Sequence, residues 1–147
     1  MRIWVDADAC PKAIKEILYR AAIRTKTEMI LVANQPLYTP VSAFIKTRQV
    51  PSGFDVADNK IIENIEPNDL VITADIPLAD AVVQKGAIAL NPRGNLYTQH
   101  NIKQILSFRN LSMELRSTGI ISGGPPKLGK KELQAFANSL DKFLASH

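Results

Sequence analysis

Arg2-Ile3-Trp4-Val5-Asp6-Ala7-Asp8-Ala9-Cys10-Pro11 and Asp69-Leu70-Val71-Ile72-Thr73-Ala74-Asp75-Ile76-Pro77 decide the fold. Each is a short apolar run that ends on a carboxylate, followed by a proline suited to the first turn of a helix. The first run, residues 2–5, reads as a buried strand. The second, residues 69–74, reads as another, with Asp75 as a natural N-cap. Two strand-then-helix units of this kind imply a parallel sheet, because the chain must cross over a face of the sheet before it pairs again.

The rest of the chain repeats the alternation. Pro11 opens a helix to about Thr25 through Ile14, Ile17, Leu18 and Ala21. Glu28 to Ala33 is a second apolar strand, and Asn34 to Pro40 is a loop with two prolines. Ala43 to Val50 reads as a turn of helix and then a short strand, an ambiguous stretch. After Pro51-Ser52-Gly53 comes a helix from Ala57 to Ile65, with Asp58, Ile61, Ile62 and Ile65 on one face. The helix after Asp75 runs to Lys85, Gly86 ends it, and Ala87 to Leu90 is a strand. Residues 91–94 form a loop, 99–117 a long helix, 122–129 a linker, and 130–146 a final amphipathic helix through Leu133, Phe136, Ala137, Leu140 and Leu144. The fold class is α/β: three layers, a mostly parallel sheet with helices on both faces, and C-terminal helices. The 147 residues fit one domain with a real core.

Five aspartates fall where a strand stops or a helix starts: Asp6, Asp8, Asp58, Asp75 and Asp80. In a parallel sheet the ends after Asp6 and Asp75 point to the same edge, where open α/β folds place their sites. Carboxylates gathered there repel one another unless a cation joins them. Hard oxygen donors suit Mg²⁺ or Mn²⁺. The two histidines, His100 and His147, have no metal-ligand spacing, so zinc is not expected. The five together are candidate metal ligands, and two such ions would suit phosphodiester cleavage.

Asp8, Cys10, Arg93 and Lys127 are candidate substrate contacts. Cys10 precedes a helix N-terminus, which would stabilise a thiolate. The chain continues as KAIKE, without the arginine of a cysteine phosphatase, so the residue is read as structural or substrate-shaping. Arg93, in NPRGN after a strand, can meet a phosphate. Lys127 follows Gly123-Gly124-Pro125-Pro126, a stretch without the spacing of a P-loop. Trp4 belongs to the core, and Tyr97 is open between the core and a base-stacking surface.

Apolar content of 46% and charged content of 22% are those of a soluble protein, and no apolar run is long enough to span a bilayer. Asp6 and Asp8 interrupt any signal-peptide core, and one cysteine fits a reducing compartment, so a cytoplasmic location is expected. The net charge of +4 is unevenly placed. Residues 1–100 carry 11 Lys+Arg and 11 Asp+Glu, and residues 101–147 carry 7 and 3. A basic third beside an acidic edge suits a polyanion such as nucleic acid held against metal ions. No membrane partner is expected, and a homodimer in which a second copy completes the site remains open.

MRIWVDADACP, VPSGFDVADNKI, DLVITADIPLA, NPRGNLYT, and ISGGPP followed by FANSLD together resemble the uncharacterised bacterial YaiI/YqxD family across essentially the whole chain. That family is similar, more distantly, to PIN-like and NYN-type nuclease domains. The likeness implies an aspartate after the first strand, matched by Asp6. It implies an acidic residue in a central helix, matched by Asp58 with Asp55 as rival, and a carboxylate pair after a later strand, matched by Asp75 with Asp80. Asp8, Cys10 and Gly123-Gly124-Pro125 belong to the narrower family's own motif. The implied activity is a Mg²⁺- or Mn²⁺-dependent nuclease acting on RNA, with Asp6, Asp58, Asp75 and Asp80 as metal ligands and catalytic residues.

Two alternatives stand beside it. The D-x-D of Asp6 and Asp8 imitates a haloacid-dehalogenase-type phosphatase, whose first aspartate is a nucleophile. Against that are Cys10 in place of the usual residue, the lack of a convincing lysine before the distal aspartates, and no cap domain. The other is a non-catalytic RNA- or nucleotide-binding module that keeps the carboxylates for structure.

Overall fold

The computed structural model describes residues 1–53, 56–107 and 128–146. Six strands form one sheet. In chain order the elements are β1 (Ile3–Asp6), α1 (Lys12–Thr25), β2 (Met29–Ala33), β3 (Ile45–Gln49), α2 (Val56–Asn64), β4 (Leu70–Ile72), α3 (Ile76–Gln84), β5 (Ile88–Leu90) and β6 (Leu96–Tyr97). Residues 102–107 are helical as far as the described stretch runs, and we number them α4. The last element is α5 (Lys130–Ala145).

The spatial order is β3-β2-β1-β4-β5-β6. The first five strands are parallel, and β6 returns antiparallel to β5. The α/β fold and its mostly parallel sheet are as the sequence indicates, and the arrangement is consistent with a three-layer PIN-like core.

The period of two in the strands sorts their side chains between two cores. Ile3, Val5, Leu31, Leu70, Ile72 and Leu90 pack on one face with Ile14 and Leu18 of α1 and Phe136 and Leu140 of α5. Trp4, Ile30, Val32, Val71 and Ala89 pack on the other with Ile61 of α2 and Leu78, Val82 and Val83 of α3. The helix after β1 thus lies on one face, and the helices that lead into β4 and β5 lie on the other. No helix among the described residues is long and apolar enough to cross a membrane.

Three details depart from the sequence reading. The ambiguous stretch resolves into β3, an edge strand on which only Ile45 is buried. Beyond its first residue it has no apolar face, so it carries no periodic signal. β6 has two residues and is absent from the sequence reading, which places a loop and then a helix there. The long helix expected over 99–117 begins only after the turn at 98–101, and its continuation lies outside the described residues.

One close approach depends on a glycine. Gly94 has φ +93°, and a Cβ there would stand 2.7 Å from the carbonyl oxygen of Ala135 in α5. The Ser139 hydroxyl donates to the Gly94 carbonyl at 2.7 Å, so the 91–95 turn is clamped to α5. Gly94→Val is expected to cost about 2–4 kcal/mol, from the positive φ and the overpacked contact together. A drop in the urea midpoint measures it, and a variant as stable as wild type would show that α5 yields at no cost.

Candidate active site

The strand order turns between β1 and β4, since the chain moves outward to β2 and β3 and then comes back to β4 on the far side of β1. The crevice at the carboxyl ends of two such strands is where α/β sheets hold ligands. Asp6 is the last residue of β1 and is half-buried. The next amide, of Ala7, donates to the Val32 carbonyl at 2.9 Å, which keeps the turn against β2. Asp8 then accepts the Asn34 amide on Oδ2 at 2.8 Å, at the end of β2.

On the other side of Asp6, the buried Thr73 follows β4, and its hydroxyl accepts the Asp75 amide at 3.0 Å. Asp75 caps α3 as its sequence suggests, with Oδ1 accepting the Leu78 amide at 3.1 Å. Asn34 and Thr73 therefore set the positions of the two outer carboxylates. Sequence reasoning passed over both. Their only signal is that each directly follows a strand.

Electrostatics ties the three aspartates together. Burial pushes the Asp6 carboxyl above its ordinary range, and the charges of Asp8 and then Asp75 push it further the same way. The shift is what like charges at a partly desolvated strand end produce. Asp58 sits half-buried in the first turn of α2. Asp80 goes elsewhere: its Oδ1 pairs with the Lys103 ammonium at 3.5 Å and accepts from Gln84 at 3.3 Å. Five residues of helix separate it from Asp75, a rotation of roughly 500°, which turns the two side chains to different sides of α3. Among the described residues, no three His, Cys, Asp or Glu side chains are grouped closely enough to hold a metal ion. The four-aspartate ligand set is thus not assembled as a closed cage.

The expected substrate contacts are dispersed. Cys10 belongs to the core on the α1 face. Burial is the main cause that pushes its thiol up to about 12, so the argument for a thiolate at the helix terminus does not hold. Arg93 stands on the turn after β5, where its amide donates to the Asn91 side chain at 2.9 Å. Its charge reaches Glu132 of α5, whose carboxyl is held low first by backbone N–H bonds and then by Arg93 and Lys131. Tyr97 is buried, its hydroxyl accepting from Asn91 at 3.0 Å, and it is a core residue. Lys127, Asp55 and Gly123-Gly124-Pro125 lie outside the described residues.

A further carboxylate has a structural task that the sequence reading did not assign. Asp69 is buried, with Oδ1 accepting the Arg2 amide at 3.0 Å. Its Oδ2 accepts the Trp4 indole N–H at 3.2 Å and the Glu66 amide at 2.9 Å. The Arg2 guanidinium lies 3.7 Å from the same oxygen and 5.1 Å from the centre of the Trp4 ring. This network fastens the start of β1 to the start of β4, at the edge of the sheet opposite Asp6.

The family model described as "Uncharacterized BCR, YaiI/YqxD family" matches residues 4–146. The chain belongs to the YaiI/YqxD family. Its relatives include the UPF0178 protein of Maridesulfovibrio salexigens, 61% identical over 98% of this chain and 95% of the relative. That of Cronobacter sakazakii is 59% identical over 99% and 96%, and that of Hahella chejuensis 60% identical over 99% and 97%. No solved structure matches the chain. The motifs at DADACP, DVADNKI and ITADIPLA thus lie inside the span that the YaiI/YqxD model covers.

Proposed function

We propose that this YaiI/YqxD protein is a Mg²⁺- or Mn²⁺-dependent hydrolase of phosphodiester bonds in nucleic acid, with RNA the expected substrate and the cytoplasm its place of work. The observation that carries the reading is the placement of Asp6, Asp8 and Asp75 at the turning point of the parallel sheet, where burial first and then repulsion from the charges of Asp8 and Asp75 raise the Asp6 carboxyl. A cation would relieve that repulsion. The donor set fits a magnesium ion held by one or two carboxylates, with water and substrate phosphate completing the shell. It does not fit an ion caged by protein alone.

Asp6 and Asp75 are the residues that would hold the ion. When bound, it would polarise the phosphate and lower the pKa of a water. Asp8 is braced by Asn34 on the side of β2 and would orient that water or the substrate. Asp80 is tied to Lys103, so its part would be to steady α3. The distant similarity of the motif pattern to PIN-like and NYN-type nucleases supports the same reaction class.

Isothermal titration of Mg²⁺ and Mn²⁺ into wild type and Asp75→Asn tests the reading. Wild type is expected to bind in the high micromolar to millimolar range. Asp75→Asn, which keeps a capping oxygen, is expected to bind about 10-fold more weakly or less tightly still. Equal binding by the two proteins would remove Asp75 from the site and move the binding-module reading forward.

A further inference from the structure

A groove of about 610 Å³ runs between α1 and the loop that follows β2, with Lys12, Lys15, Glu16 and Tyr19 on one wall and Leu37 and Tyr38 on the other. Both walls start at the acidic edge. α1 begins just past the Asp6–Asp8 turn, and the loop begins at Asn34, whose amide is bonded to Asp8. Tyr38 is fully exposed, and Val41 beside it is too. Leu37 is packed against the core and anchors the loop that holds Tyr38 out.

We propose that this groove is a binding track for single-stranded nucleic acid, with a base stacked on Tyr38 and the backbone phosphates along Lys12 and Lys15. The inference rests on the hydrolase reading and names the form of its substrate. Two features favour this occupant. A solvent-facing phenol ring offers a stacking face to any unpaired base, and a duplex keeps its bases in its own stack and cannot use it. The two lysines outweigh Glu16, so that wall presents net positive charge to phosphates. The volume is that of a small-molecule site, enough for about one or two nucleotides at a time.

The test is fluorescence anisotropy of a labelled oligouridylate in EDTA, where metal-dependent turnover is off. It compares wild type, Tyr38→Ala and the Lys12→Ala/Lys15→Ala pair. Tyr38 is exposed, so its truncation leaves the fold in place. Tyr38→Ala is expected to weaken binding by about 10- to 100-fold, the loss of one stacked base. The lysine pair is expected to reduce the slope of log affinity against log salt by about 1.4. A duplex of the same sequence is expected to compete poorly. No strand binding by wild type, unchanged binding in the Tyr38 and lysine variants, or a duplex that competes as well as the strand would each overturn the groove. Strand binding with this variant pattern but no cleavage under any metal would uphold the groove and sink the hydrolase reading. Cleavage undiminished in Tyr38→Ala would do the reverse.

Discussion

Asp69→Ala is expected to cost about 3–5 kcal/mol, the range for removing one partner of a buried charged network. The alanine would leave the Arg2 amide, the Glu66 amide and the Trp4 indole N–H facing a void. Each buried donor without an acceptor is worth about 1–3 kcal/mol, and relaxation of the Arg2 side chain recovers only part. Against a total stability of about 5–15 kcal/mol this is a severe lesion. Asp69→Asn tests the cause. It keeps the size and one carbonyl oxygen but turns an N–H toward at least one of the donors, so it is expected to lose nearly as much. Trp4→Phe removes only the indole donor and part of the ring, and is expected to lose less than either. Trp4 is the single tryptophan of the chain, so its fluorescence in a urea titration reports on the network in the two Asp69 variants, and far-UV circular dichroism follows Trp4→Phe. A loss below about 1 kcal/mol in Asp69→Ala would mean that water replaces the carboxylate at this end of the sheet.

The contrast between Asp69 and the site aspartates shows what a sequence can and cannot carry. Asp6 and Asp75 were legible because each has a local cause. An apolar run ends and a helix with an early proline begins, so position relative to the sheet follows from neighbours a few residues away. Most of the α/β order through β5 was legible for the same reason. Asp69 has the opposite character. Two of its donors come from residues 67 and 65 positions away, and nothing near it in sequence announces them.

Asp80 failed the other way. It looks like part of a D-x₄-D pair until helical rotation and Lys103, more than twenty residues on, are taken into account. For Cys10 burial outweighs the helix terminus, in keeping with the structural role read for it. β3 was read as a short strand only ambiguously, because an edge strand exposed along both faces has little alternation to read. Tyr97 stayed open because one aromatic beside a turn does not show which way it faces.

Asp6→Asn is expected to make the protein more stable and less active at once, a combination that separates a working carboxylate from a structural one. The carboxyl is held above its ordinary value of 3.8 by burial, and then by Asp8 and Asp75. A raised folded-state pKa means that the folded protein binds the proton more tightly than the unfolded chain does. Stability associated with Asp6 is therefore greatest at low pH and is lost as pH rises through 3.8 to the raised value. At pH 7 the ionised carboxylate is a net cost, and an uncharged amide removes it. The melting temperature of Asp6→Asn is expected to rise by about 1–4 °C at neutral pH, with the advantage over wild type shrinking as pH falls toward 3.8. Magnesium should reverse the order. Millimolar Mg²⁺ is expected to raise the melting temperature of wild type through binding to the folded state, and to leave the variant unmoved. Metal-dependent cleavage of RNA is expected to fall by at least the ~10–100-fold that loss of a metal ligand's outer partners already costs. A variant less stable than wild type in the absence of metal would refute the electrostatic account of Asp6. A variant that still gains stability from magnesium would remove Asp6 from the ion's shell, whatever its activity.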